Sequence, residues 1–246
     1  MYQFSPTPVV CLQASHDTRG ALPKYIQLCE HIIREIDAGR LLDAERLPPE
    51  REMARSYSVS IGTLRKALAE LHKKGLLERV QGSGNYIRKG HTPTGVYAMF
   101  RLELPDGGGL PSARILSLEV MQKPATLPGF GRSDQATRIR RLRFLNDIAI
   151  AVEEIWLDAA VGTLNAKTVS DSLYQTYLKH LNFWITRAED RVSVGRFPDW
   201  TSPDFARMDQ PCGYIERFSW AEHPEAVEFS RTWFDPNRAV YVQRLK

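Results

Sequence analysis

Apolar residues between Pro23 and Ala38 fall at Ile26, Cys29, Ile32, Ile33 and Ile36, the spacing of one helix face, and Gly39 marks the stop. A second helix is predicted from near Pro49. Proline fits a first turn without losing a needed donor there, and Glu50 and Glu52 favour the positive end of the dipole. After the turn Tyr57-Ser58-Val59-Ser60, a third helix is predicted over about Ile61 to Lys74. Leu64, Ala67, Leu68 and Leu71 form its apolar stripe, which leaves Gly62, Thr63, Arg65, Lys66 and Lys73 on other faces. Ser60 is placed to cap that helix by accepting a backbone N–H from its first turn. Two strand-like runs follow, Leu76–Val80 and Tyr86–Arg88, about the tip Gln81-Gly82-Ser83-Gly84.

Past His91-Thr92-Pro93-Thr94-Gly95, which breaks both periodicities and reads as a linker, the pattern becomes strand-like. Strands are predicted over Val96–Leu104, Ala113–Gln122, Thr137–Leu145, Ile148–Leu157, Trp184–Gly195, Tyr214–Trp220, Ala226–Asp235 and Val240–Leu245. Helix is predicted only over Ser172–Leu181 and Ser202–Met208. Asn146-Asp147 should turn one hairpin. At 246 residues the chain exceeds the usual single-domain size. The expected class is α+β: an arm over residues 1–20, a helical domain with a hairpin over 21–90, the linker 91–95, and an antiparallel-sheet domain over 96–246.

Two short helices joined by a tight turn and followed by a basic hairpin are the layout of a winged helix-turn-helix, which makes double-stranded DNA the first partner to consider. Charge supports this through its distribution. Residues 1–90 hold 14 Lys/Arg against 10 Asp/Glu, whereas residues 91–246 hold 19 of each. Phosphate-rich partners bind through such a field by counterion release; a solvated basic face is the plain alternative. The front of the third helix suits a major groove about 12 Å wide, with Arg65 placed to read guanine and Thr63 to meet a thymine methyl or a phosphate. The glycines of the hairpin tip either approach the backbone of DNA or only close the hairpin.

Cys11, Cys29 and Cys212 lie far apart, in no CxxC or Cys/His pattern, so neither a disulfide framework nor a zinc site is indicated. The first residues lack a cationic n-region and no apolar run approaches a bilayer-spanning length, so a cytoplasmic protein without membrane contact is expected.

The run Pro23 to Ile87, with LPPERE, VSxxTLRKAL and GLLxRxQGxG in order, resembles the DNA-binding domain of GntR-family bacterial transcription regulators. The resemblance implies DNA contacts from Arg51, from the front of the third helix (Ser60, Gly62, Thr63, Arg65, Lys66), and from the wing tip (Gln81, Gly82, Ser83). Ile61 stands where members usually carry Arg, which shifts the expected base readout toward Arg65 and Arg51.

In the strand Arg138–Leu145, period-two geometry puts Arg141 and Arg143 on one face, and two guanidiniums side by side attract an anion. The returning strand carries Glu153-Glu154. A three-residue loop places Glu153 opposite Arg141, whereas a two-residue loop brings Glu154 to that face. Taken alone, the stretch reads as a cross-strand ion pair on a wet surface, worth under about 1 kcal/mol. Further on, Glu228, Ser230, Thr232 and Phe234 share one strand face and Phe229, Arg231 and Trp233 the other, and either face could be core.

GLPSARIL, RLRFLNDIAIAVEEIWL, SLYQTYL and VEFSRTWFDPNRAVY resemble the effector-binding UTRA domain, companion of this DNA-binding domain in the branch named for the histidine-utilisation repressor (HutC). The resemblance implies a chorismate lyase-like antiparallel sheet and a ligand-contacting set of Arg141, Arg143, Glu153, Ser172, Tyr174 and Glu228. Arg101 supplies charge where members commonly open with Ser/Thr-Phe, and Phe234 stands where the family often has Tyr. The implied ligand is an anionic metabolite, and the implied assembly is a homodimer addressing two half-sites of an operator.

The chorismate lyase likeness makes a catalytic second domain the reading to test against the residues. The six histidines show no HExxH-like spacing, no GxSxG or P-loop is present, and Ser172 at a helix start is a cap by default. No cofactor or metal is expected. The reading is a ligand-responsive DNA-binding regulator, a repressor, with an architectural DNA-binding dimer as the alternative.

Overall fold

The computed structural model describes residues 22–37, 39–88, 97, 99–170 and 172–244. The expected arm (residues 1–20) and linker (91–95) lie outside the described residues. The chain divides into two compact units. One is built on residues up to Phe100 with 108–110 and the chain end, the other on Arg101–Gly107 and Pro111–Val242.

In the first unit α1 spans Lys24–Asp37, α2 Glu50–Ser56 and α3 Ile61–Lys73. Ser60 caps α3 as expected, its Oγ accepting the Thr63 N–H at 3.0 Å. Gly75, at φ +72, adopts the left-handed conformation that lets the chain turn off α3 into the hairpin. That hairpin pairs β1 (Leu77–Val80) with β2 (Gly84–Ile87), and Val80 faces Gly84 across the three-residue tip. The stripe predicted for α3 is the one buried: Leu64, Ala67, Leu68 and Leu71 pack with Ile32, Ile33 and Ile36 of α1 and Ile87 of the hairpin. Each such aliphatic side chain contributes about 1.5–3 kcal/mol on burial, so α3 is fixed from behind and its polar front stays in solvent.

The second unit is a six-stranded antiparallel sheet in the order β4-β5-β6-β9-β8-β7. Its strands are β4 (Pro111–Gln122), β5 (Gln135–Leu145), β6 (Ile148–Asp158), β7 (Arg187–Arg196), β8 (Pro211–Trp220) and β9 (Glu228–Phe234). The helix α4 covers Leu173–Leu181. A separate short ladder pairs β3 (Leu102–Glu103) with β10 (Val240–Tyr241). One sheet face buries Phe229, Trp156 and Ala136 under Phe130, and Leu142 and Val152 under Phe197 and Phe205. Gly213 pairs with Phe234 across β8 and β9, and a side chain there would collide with the ring that covers it.

Three expectations need correction. Ser202–Met208 is not a helix but a single turn, with Phe205 N–H and Ala206 N–H both donating to the Ser202 carbonyl. Phe205 is instead pinned edge-on against Phe197, ring centroids 5.4 Å apart, and Asp209 at φ +63 ends the segment. Among the described residues of the run Val96–Leu104, strand structure is confined to Leu102–Glu103: the Phe100 N–H donates to the Tyr97 carbonyl in a turn, and three successive glycines after Asp106 take positive φ. Among the described residues of the run Val240–Leu245, strand likewise covers only Val240–Tyr241, the two that pair with β3.

Candidate DNA interface and effector site

On the first unit, Arg51, Ser60, Gly62, Arg65, Lys66, Gln81 and Gly82 are exposed, and Thr63 and Ser83 are half-buried. Thr63 Oγ1 lies 2.9 Å from Ser60 Oγ, so its hydroxyl belongs to the cap. Arg65 Nε donates to Glu50 at 2.7 Å, and the Arg65 side chain keeps 67% of its surface. The glutamate at the start of α2 therefore aims the arginine without burying it. Sequence reasoning treated Glu50 only as a dipole partner and missed this contact. At the wing, Ser83 Oγ meets the Tyr86 hydroxyl at 2.6 Å, and Gly82 takes φ +75 at the tip. The opening Arg46 bridges to Tyr86 and packs its guanidinium beside Gly84. The structure brings α3 and the hairpin together through the core at Ile87 and Leu77, with the predicted cationic groups on solvent-facing surface.

On the second unit the charged set gathers on the sheet face beside α4. The β5–β6 loop is the two-residue turn Asn146-Asp147, both at positive φ, yet Glu153 rather than Glu154 faces Arg141. A bulge explains the outcome. Arg143 pairs with Ala151 and Phe144 with Ala149, so Ile150 is the extra residue and restores the register a longer loop would have set. Arg141 Nε and Nη2 reach Glu153 at 3.1 and 2.5 Å, and Arg143 Nη1 lies 3.8 Å from the same oxygen.

The wet-surface reading of this pair is overturned. Side-chain exposure is 5% for Arg141, 4% for Arg143 and 16% for Glu153. Burial works to raise the Glu153 pKa, but Arg141 and Arg143 more than reverse it and hold the carboxyl below its ordinary value. Glu154 instead turns to the opposite face, where it accepts from Arg140 at 2.8 Å and from the Trp156 indole at 3.1 Å.

Glu228 is buried on the same face as Glu153 and accepts from Ser219 at 2.8 Å and from the Tyr177 hydroxyl. Burial pushes its pKa up, and the two hydroxyl donors only partly offset that. Tyr174 on α4 lies 3.2 Å from Ser219, and burial followed by the Glu228 charge pushes its phenol up to about 12. Ser172 is buried and caps α4, its Oγ accepting the Gln175 N–H at 3.4 Å. Arg101 is half-buried and acts electrostatically on Asp190 and Tyr241.

Sequence reasoning missed Arg217, Asp190, Tyr177 and Ser219. Arg217 donates to both Asp190 oxygens at 2.5 and 2.7 Å, one strand over from Glu228. The alternation Ile215, Arg217, Ser219 was the available signal, since β8 faces β9 with Arg217 opposite Ser230 and Ser219 opposite Glu228. The strand face that could not be chosen from sequence resolves the same way: Phe229 joins the aromatic core, while Glu228 and Ser230 are buried on the charged side.

Among the described residues no group of three His, Cys, Asp or Glu is placed to hold a metal ion, and no helix is long and apolar enough to cross a membrane. Cys29 and Cys212 are buried free thiols, and burial raises their pKa to about 12 and about 11.

Two family models match the chain: the bacterial regulatory proteins of the gntR family over residues 24–87, and the UTRA domain over 106–239. The chain belongs to the GntR family and carries a UTRA domain. It is 49% identical over 231 residues to the HTH-type transcriptional regulator SmoD of Agrobacterium fabrum, covering 93% of this chain and 99% of that one. It is 25% identical to the HTH-type transcriptional repressor NagR of Bacillus subtilis, over 92% and 96% of the two chains. The crystal structure of YydK from Bacillus subtilis shares the fold, with a TM-score of 0.51 at 20% identity over 92% of this chain and all of that one. The protein is therefore a ligand-responsive, DNA-binding transcriptional regulator, with a helix-turn-helix unit followed by an effector-binding unit.

Proposed function

We propose that the protein is a homodimeric, cytoplasmic repressor of metabolic genes with no catalytic role, released from or fixed on its operator by a small anionic metabolite. The burial of Arg141, Arg143 and Glu153 beside Glu228, on one sheet face under α4, carries the effector half of this reading. Burying several charges in one place is costly unless they are paired or serve a ligand. Arg141 and Arg143 together with Arg101 are assigned to the anion, Glu153 and Glu228 to hydroxyls or amines, and Ser172 and Tyr174 to closure from α4. Arg51, Ser60, Gly62, Thr63, Arg65, Lys66 and the tip Gln81-Gly82-Ser83 are assigned to DNA. The repressor names of NagR and of MngR, a transport and metabolism system repressor 26% identical over 224 residues, favour repression.

A thermal-shift screen of sugar phosphates, organic acids, amino acids and phosphonates tests the effector assignment. A ligand that prefers the native state must raise the melting temperature, and Arg141→Lys should remove that shift. A screen in which only neutral compounds bind would overturn the anion assignment. Sedimentation at micromolar concentration tests the dimer, and a monomer both with and without operator would overturn it.

A further inference from the structure

We propose that Asp190 and Tyr241 are positioning residues that relay occupancy of the charged sheet face to the β3–β10 ladder, where the chain enters and leaves the second unit. This rests on the effector-site reading above. Two runs of side-chain hydrogen bonds, adjoining at Tyr174 and Arg217, lead away from Glu228. Its carboxylate accepts from Tyr177 and from Ser219 at 2.8 Å. Ser219 meets Tyr174 at 3.2 Å, and Arg217, two residues before Ser219 on the same face of β8, is an electrostatic neighbour of the Tyr174 phenol. Arg217 grips Asp190 with both prongs of its guanidinium at 2.5 and 2.7 Å. The Asp190 oxygen on the second prong also accepts the Tyr241 hydroxyl at 2.7 Å.

The two ends of this line differ in what they can move. Glu228 and Tyr174 belong to the candidate effector set. Tyr241 pairs with Leu102 in β10–β3, and the next residue, Val242, donates its N–H to the Arg101 carbonyl at 2.8 Å. Arg101 opens the second unit and Val242 closes it. A ladder of two residue pairs has little stability of its own, so its attachment through Tyr241 fixes where it sits. Asp190 lies on β7, an edge strand of the sheet, bonded to a neighbour on one side only. It is free to follow Arg217 when the sheet face changes. The charge of Arg101 reaches both Asp190 and Tyr241, which places the chain's entry point in the same electrostatic group.

Amide hydrogen exchange on the full chain, without DNA or added ligand, tests the relay. Tyr174→Phe removes the hydroxyl that meets Ser219 and adjoins the Arg217 charge. It should speed exchange of the Val242 amide by about tenfold, the size expected for losing one anchoring bond of a local opening. In a Tyr241→Phe background, where that amide already exchanges fast, Tyr174→Phe should add nothing, since two breaks in one line are not additive. Asp190→Asn enters the line at its middle and should match Tyr241→Phe. Leu178→Ala, exposed on the same helix, should leave Val242 unchanged. Faster exchange confined to α4 and β8, or independent increments from the two tyrosines, would overturn the relay. Neither result bears on ligand binding, which the thermal-shift screen reads separately.

Discussion

In the first unit the pair Arg65–Glu50 leaves the arginine side chain 67% exposed, whereas in the second the pair Arg141–Glu153 is 5% and 16% exposed. Both are arginine–glutamate contacts below 3 Å, and they suit opposite partners. A duplex presents many phosphates in a row, so cations that meet it stay hydrated and gain by releasing counterions. A single small anion offers few contacts, so a site for one must be desolvated beforehand, as Arg141 and Arg143 are, held by Glu153 from within the fold. On the proposed assignments, exposure separates the DNA surface from the effector site more cleanly than residue type does.

Arg141→Ala is expected to have the largest effect. It leaves Glu153 buried with only the longer Arg143 contact at 3.8 Å, and breaking such a pair costs about 3–5 kcal/mol. Urea denaturation should show that loss in the second unit alone, while the paired replacement Arg141→Met with Glu153→Leu recovers most of it. A loss under about 1 kcal/mol would return the pair to the wet-surface class.

How much of this was readable beforehand follows the same division. The front of α3 was legible to the residue, from the Ser60 cap to the stripe Leu64, Ala67, Leu68 and Leu71, because helical periodicity and capping act within one turn. On the sheet the residues were legible but their surroundings were not. The Ile150 bulge decided which glutamate met Arg141, and no local pattern announces a bulge in an alternating strand. Arg217 and Asp190 lie on strands that follow α4 in sequence, and their place on the sheet face that carries Glu228 emerges only from the order β6-β9-β8-β7. Ser202–Met208 failed for a related reason: packing of Phe205 on Phe197 outweighed a helical pattern of seven residues.

Arg65→Ala sharpens the contrast from the other side. It should cost about 1–3 kcal/mol on operator DNA and relax the preference at one base pair. Because its partner contact is exposed, the same change should alter folding stability by no more than about 0.5 kcal/mol. Fluorescence anisotropy on operator and random duplexes separates these outcomes. Equal losses on both would remove the base-reading role and leave Arg65 a phosphate contact.

Glu228 offers a pH test of a smaller kind. Its folded pKa is raised, so above the ordinary carboxylate range the unfolded state has released its proton while the native state still holds it. Stability from this group is therefore present at low pH and lost as pH rises through the folded value. Glu228→Gln should raise the melting temperature at pH 8, with the gain shrinking to nothing near pH 4. A gain that persisted at pH 4 would point to packing rather than charge.

Lys66→Ala should have the smallest effect. Lys66 is exposed beside Arg65 and carries no shape that a base edge could read. Its expected contact is a phosphate, so removal should weaken operator and random DNA alike and lower the slope of log affinity against log salt by about 1. A change in base preference with the slope intact would make Lys66 a reader and blur the distinction drawn between it and Arg65. An unchanged slope with unchanged preference would move the edge of the DNA surface back to Arg65 and the wing.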